Sequence, residues 1–132
     1  MEINDKEAFI TGGSGGLGSV IALRLAASEA NIAISYGQNL AAAKEIETQI
    51  IAMGRKCCIL EMDQRDPKSI VKSVNHIVSE LGAIDILVNN AAWNAAVPFK
   101  DLDALTPELW DRMHETNLRG PFLVTRVFAP HL

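Results

Sequence analysis

Aromatic side chains make up only 5% of the 132 residues, and one of them alone is a tyrosine, Tyr36. No row of stacking aromatics and no basic stripe occurs. Lys and Arg are scattered and the net charge is −4, so nothing here suits a nucleic-acid backbone. Runs of about 18 apolar residues, the length a transmembrane helix needs, are also missing. The opening Met1-Glu2-Ile3-Asn4-Asp5 is acidic and polar, unlike a signal or transit peptide, and the expected location is cytoplasmic. Cysteine is confined to the adjacent pair Cys57-Cys58. Strand neighbours point to opposite faces, which disfavours a disulfide between them and suggests two small buried hydrophobes. His76, His114 and His131 are isolated from one another, so no metal site is expected.

What the chain has is glycine in one place. Five of its nine glycines fall in Thr11-Gly12-Gly13-Ser14-Gly15-Gly16-Leu17-Gly18. The apolar Ala8-Phe9-Ile10 leads in, and the helical pattern of Leu17, Val20, Ile21, Leu23 and Leu25 leads out. A strand, a glycine turn and a helix in that order make a phosphate cradle. Free N–H groups point outward, the helix dipole adds about half a positive charge, and no Cβ blocks approach. Gly13 to Gly18 satisfies GxGxxG, and no Lys-Ser/Thr follows, which excludes a nucleoside-triphosphate loop.

Strand and helix patterns alternate along the rest. Strands are expected at Glu7 to Thr11, Asn31 to Tyr36, Cys57 to Met62 and Ile84 to Val88. Helices are expected from Gly16 to about Ala30, from an Asn39 N-cap to Gly54, from Asp66-Pro67 to Gly82, and from Thr106-Pro107 towards Leu132. The strands are near-continuous apolar runs, as in a parallel sheet covered on both faces. Right-handed crossovers then predict a single α/β, Rossmann-like, doubly wound domain over residues 1–132. Its strand order is 3-2-1-4, with the glycine turn at the switch point between strands one and four.

A dinucleotide site of this type often carries an acid at the end of strand two for the ribose 2′-hydroxyl. Ser35-Tyr36-Gly37-Gln38-Asn39 stands there instead. A 2′-phosphate meets no carboxylate at that point, so NADP is favoured modestly over NAD.

Four stations in order resemble the short-chain dehydrogenase/reductase family, in particular the branch of 3-oxoacyl-[acyl-carrier-protein] reductases and glucose dehydrogenase-like enzymes. Thr11, Gly12, Gly16 and Gly18 fit TGxxxGxG. Asp63 follows strand three, and Asn89-Asn90-Ala91-Ala92 follows strand four with Ala92 in place of glycine. Asn117-Leu118-Arg119-Gly120-Pro121-Phe122 fits Asn-x-x-Gly-x-Phe. The resemblance implies cofactor contacts at Gly12, Ser14, Gly15, Gly16, Leu17, Gly18, Tyr36, Asn39, Asp63, Gln64, Asn89, Asn90 and Ala91, with Asp63 at the adenine ring. It implies hydride transfer to or from a carbonyl or alcohol substrate, and a place for Asn117 in a water-linked proton relay.

Pro121 bears on that last role. It lacks the N–H that would bond the Asn117 carbonyl four residues back, so the helix either kinks there or ends at Gly120-Pro121. The resemblance also calls for a Ser and a Tyr-x-x-x-Lys, and neither fits: Tyr36 is followed four residues later by Leu40. The expected chain is thus the cofactor-binding half, truncated before strand five. It would have little turnover alone, or serve as a non-catalytic dinucleotide- or partner-binding module, or be completed by another chain. An uncovered strand four and last helix would favour self-association.

Overall fold

The computed structural model describes residues 2–132. Four parallel strands, β1 (Glu7–Ile10), β2 (Asn31–Tyr36), β3 (Cys57–Glu61) and β4 (Ile86–Val88), form one sheet in the order β3-β2-β1-β4. Helices α1 (Gly16–Ala27) and α2 (Leu40–Ala52) cover one face. Helices α3 (Pro67–Leu81) and α5 (Gly120–Phe128) cover the other, and α4 (Pro107–His114) leads into α5. The doubly wound order expected from the sequence is the order found.

Period-two alternation along the strands builds two cores. Ala8 and Ile10 of β1, with Ile32 and Ile34 of β2, face Ala22, Ala26, Ile46 and Ile50 of α1 and α2. Phe9, Ala33, Cys58 and Leu60 face Ile70, Val74, Ile77, Val124 and Phe128. The Phe9 and Phe128 rings stack with centroids 4.8 Å apart. The two cysteines divide between the faces, as strand geometry requires, and both are free thiols. Burial pushes the Cys57 thiol up to about 12 and the Cys58 thiol to about 11, helped by nearby glutamates, so neither is a thiolate at neutral pH.

Caps set three helix starts. Asn39 Oδ1 accepts from Ala42 N at 3.0 Å, Asp66 Oδ1 from Lys68 N at 2.9 Å, and Thr106 Oγ1 from Leu109 N at 3.3 Å. Several expected boundaries move. β1 stops at Ile10, because Thr11 already belongs to the turn, and β3 stops at Glu61. α1 stops at Ala27, and Glu29 adopts φ 70° to reverse the chain. β4 begins at Ile86 instead of Ile84, since the Ile84 N–H donates to the His131 carbonyl and Asp85 turns its carboxylate onto Lys6 Nζ and Glu7 N. These bonds hold the Asp85 carboxyl below its ordinary value, the Glu7 N–H contributing most.

The segment through Asn117 neither kinks nor ends. It widens: Glu115–Arg119 form a π-turn in which the Gly120 N–H reaches back to the Glu115 carbonyl. The proline is thereby carried inside a continuous helical path from α4 to α5.

Candidate cofactor site

A cleft of about 650 Å³ opens at the carboxyl ends of the strands, over the switch point between β1 and β4. Its floor is the glycine turn. Ser35 braces the turn from β2: its Oγ accepts from Gly12 N at 3.1 Å and its carbonyl from Gly13 N at 2.9 Å. Asn90 braces it from β4, with Nδ2 donating to the Thr11 carbonyl at 2.9 Å and the Gly12 carbonyl at 3.2 Å. Thr11 closes this bracket, its Oγ1 accepting from Asn90 N at 3.0 Å and Ala91 N at 2.9 Å. Thr11, fully buried, is the pin of the site.

Two glycines do different work. A Cβ on Gly18 would lie 2.6 Å from Asn90 Nδ2 and closer still to the Gly12 carbonyl, so Gly18 is required by packing. A Cβ on Gly16 would meet nothing within 4 Å and would project into open cleft. Gly15 supplies the N-cap of α1 without a side-chain cap bond. The first-turn N–H groups therefore face an opening wide enough for a phosphate, with the dipole behind them.

The residues expected at the cofactor mostly meet here. Gly12, Ser14, Gly15, Gly16, Leu17, Gly18, Tyr36, Asp63, Gln64, Asn90 and Ala91 line the cleft. Asn39 and Asn89 do not. Asn39 is spent on the α2 N-cap, and Asn89 Nδ2 donates to Thr125 Oγ1 at 2.9 Å on α5. Asp63 is gripped by Arg65, whose Nε and Nη2 donate to Oδ1 at 3.0 Å and Oδ2 at 2.8 Å while its N–H adds a third bond. That fork holds the Asp63 carboxyl below its ordinary range and raises the guanidinium.

Asn117 is exposed and is not among the residues that line the cleft. Its Oδ1 accepts from Trp93 N at 2.8 Å and its Nδ2 donates to the Trp93 carbonyl at 2.7 Å, a reciprocal pair of hydrogen bonds to one residue. The Arg112 guanidinium sits 3.9 Å above the Trp93 ring. Together these pin the otherwise irregular run after β4.

Sequence reasoning missed several wall residues: Ala92, Trp93, Arg112, Thr116, Arg65 and Glu61. The end of β2 itself carries no acid, and Glu61 brings a carboxylate beside it from the neighbouring strand. It is the register partner of Tyr36, sits exposed at the end of β3, and lines the same cleft as Ser35 and Gln38. A charged residue closing an otherwise apolar strand was the available signal. Among the described residues no three His, Cys, Asp or Glu side chains are disposed to hold a metal ion, and no helix is long and apolar enough to cross a membrane.

Comparison with known proteins agrees with this geometry. Residues 6–132 match the short chain dehydrogenase family model. The short-chain dehydrogenase/reductase FrzI of Cladobotryum sp is 36% identical over 128 residues, which are 97% of this chain and 48% of that protein. The L-rhamnose 1-dehydrogenase (NADP(+)) of Thermoplasma acidophilum is 31% identical over 132 residues, 100% of this chain and 51% of that protein. A short chain dehydrogenase from Burkholderia cenocepacia J2315, solved in complex with NADP, superposes with TM-score 0.91 at 35% identity over 100% of this chain and 53% of that one. A blue fluorescent protein from a metagenomic library, solved in complex with NADPH, gives TM-score 0.89 at 33% identity with the same coverage, 100% and 53%. The chain spans about half the length of the curated relatives it matches.

Proposed function

The chain belongs to the short-chain dehydrogenase family, and from that premise we propose that its 132 residues are the dinucleotide-binding half of an NAD(P)H-dependent oxidoreductase. The observation that carries this reading is Gly16. A side chain there would intrude on open cleft at an N-terminus of a helix that lacks a side-chain cap, in a turn braced on both sides by Ser35 and Asn90. Such a turn is shaped for the pyrophosphate of a dinucleotide.

When bound, the dinucleotide supplies a hydride at its nicotinamide for a substrate carbonyl, or accepts one from an alcohol. The chain's own residues bind and orient. First-turn amides of α1 hold the pyrophosphate, Asp63 with Arg65 meets the adenine, and Ser35, Tyr36 and Gln38 meet the ribose. The relatives named or solved with NADP or NADPH support NADP as the preferred form, with NAD as the alternative. Asn117 serves the proton path with its main-chain carbonyl, while its side chain holds Trp93 in place. The single tyrosine, Tyr36, lies at the ribose end, and no Tyr-x-x-x-Lys occurs. Proton transfer to substrate therefore needs groups beyond these 132 residues.

A second reading, a module without turnover or a half completed by another chain, is favoured by the sheet edge. Among the described residues β4 pairs only with β1 and its three residues are half-buried, and Leu118 and Phe122 of the last helical segment are exposed. Such an edge recruits a further strand or a second copy. A chain with two cysteines, Cys58 buried and Cys57 partly buried on opposite faces of one strand, suits a cytoplasmic location.

Calorimetric titration with NADPH and NADH, followed by a ketone-reduction assay, tests these readings. Binding without turnover is expected. Turnover by the pure chain would overturn the need for the absent tyrosine and lysine. Light scattering of a stable monomer at dilute concentration would overturn the self-association.

A further inference from the structure

Gln64 does something that a cleft-lining residue need not do. Its side chain is buried, with 5% exposure, and it donates twice: Nε2 to the Ala91 carbonyl at 3.0 Å and to the Thr116 carbonyl at 2.7 Å. A primary amide has two N–H donors, so both are used. The opposite orientation would aim an oxygen at two carbonyl oxygens, which fixes the orientation of the amide. Oε1, in consequence, is buried with no partner among the described residues. The fold carries an unpaired acceptor to keep the two donors in place.

The reason lies in Pro121. Within the π-turn the Gly120 N–H bonds the Glu115 carbonyl five residues back. The next bond of that series would run from residue 121 to the Thr116 carbonyl, and proline has no N–H to make it. Gln64 makes it instead, from another element. Gly120 completes the fit, since a Cβ there would lie 2.8 Å from Gln64 Cγ and 3.0 Å from its Cδ.

We propose that Gln64 is a positioning residue whose amide replaces the N–H missing at Pro121 and ties two walls of the cofactor cleft together. One wall is Ala91, after β4. The other is Thr116, in the turn that also carries Asn117 and, through it, Trp93. This rests on the dinucleotide reading for its effect on affinity, but not for its effect on the turn itself.

The test pairs two substitutions, Gln64→Leu and Pro121→Ala, singly and together, on the intact chain. Gln64→Leu keeps the volume and removes the donors, whereas Pro121→Ala returns a backbone N–H to the turn. The readouts are the NADPH dissociation constant at a temperature where each variant is folded, and amide hydrogen exchange across residues 115–123. Gln64→Leu is expected to weaken NADPH binding about fivefold, the effect of one hydrogen bond, and to speed exchange in the turn. Adding Pro121→Ala is expected to bring both back to within about twofold of Pro121→Ala alone.

Unchanged affinity in folded Gln64→Leu with a merely lower melting temperature would overturn the positioning role, as would failure of Pro121→Ala to restore it. If Gln64→Leu folds too poorly to titrate, the double variant decides: recovery of folding and binding supports the proposal, and no recovery overturns it. Should the unsubstituted chain bind neither dinucleotide, the functional reading fails. Hydrogen exchange alone then judges the donor replacement, by whether Pro121→Ala suppresses the exchange that Gln64→Leu releases.

Discussion

Gly16 and Gly18 sit two residues apart in the same first turn of α1, and alanine at each should have opposite consequences. At Gly16 the new methyl meets nothing within 4 Å. Replacing glycine in a conformation alanine accepts stabilises by about 0.4–1 kcal/mol through the unfolded chain, or about 2–4 °C in a domain of this size. That same methyl stands where a phosphate must approach the helix N-terminus. Losing one charge-assisted hydrogen bond there costs about 1.5–3 kcal/mol, which is about 10- to 150-fold in affinity. Gly16→Ala should therefore melt no lower than the parent and bind dinucleotide far more weakly.

At Gly18 the methyl would lie 2.6 Å from Asn90 Nδ2 and press on the Gly12 carbonyl, two groups that are bonded to each other. Overpacking of this kind costs about 1–3 kcal/mol, so Gly18→Ala should lose stability and binding together. Scanning calorimetry and NADPH titration on the pair separate the effects. Parent-like affinity in Gly16→Ala would refute the cradle, and parent-like stability in Gly18→Ala would refute the Asn90 bracket.

Three further outcomes follow from the same geometry. Phe128→Ala removes a fully buried ring stacked on Phe9 and should cost about 3–5 kcal/mol, read as a lower urea midpoint at unchanged slope. Glu61→Gln should raise NADPH affinity relative to NADH about two- to fivefold, the screened repulsion between one carboxylate and a phosphate near the adjacent strand end, with the gain shrinking in salt. Asp63 and Asp85 both have carboxyls held below the ordinary 3.8 in the folded chain, by the Arg65 fork and by the Glu7 N–H with Lys6. The folded state then binds fewer protons than the unfolded one near and below that value. Their contribution is present above pH 3.8 and is lost as the pH falls further, so urea midpoints should hold from pH 7 to 5 and drop below about pH 4, less steeply in Asp85→Asn.

The layers of this fold were legible because each strand is an apolar run, and each of three helices begins at a residue, Asn39, Asp66 or Thr106, whose side chain caps it. The glycine turn was legible for a similar reason, since its chemistry is local to eight residues. What escaped was set by partners far along the chain. Asn89 and Asn90 are alike in sequence, but alternation at the end of β4 sends one to Thr125 and the other to the glycine turn. Pro121 announced a missing donor without saying whether the helix would break, and Gln64, which resolves it, lies 52 positions from Thr116. The charge beside the end of β2 depends on register, because strand pairing sets Glu61 next to Tyr36.

The most direct test of the central claim is a calorimetric titration of the folded chain with NADPH, repeated on Gly16→Ala. The account predicts one dinucleotide bound per chain, competition by NADH, and loss of at least about tenfold in affinity in the variant. A chain that is folded by circular dichroism yet takes up neither NADPH nor NADH would contradict it.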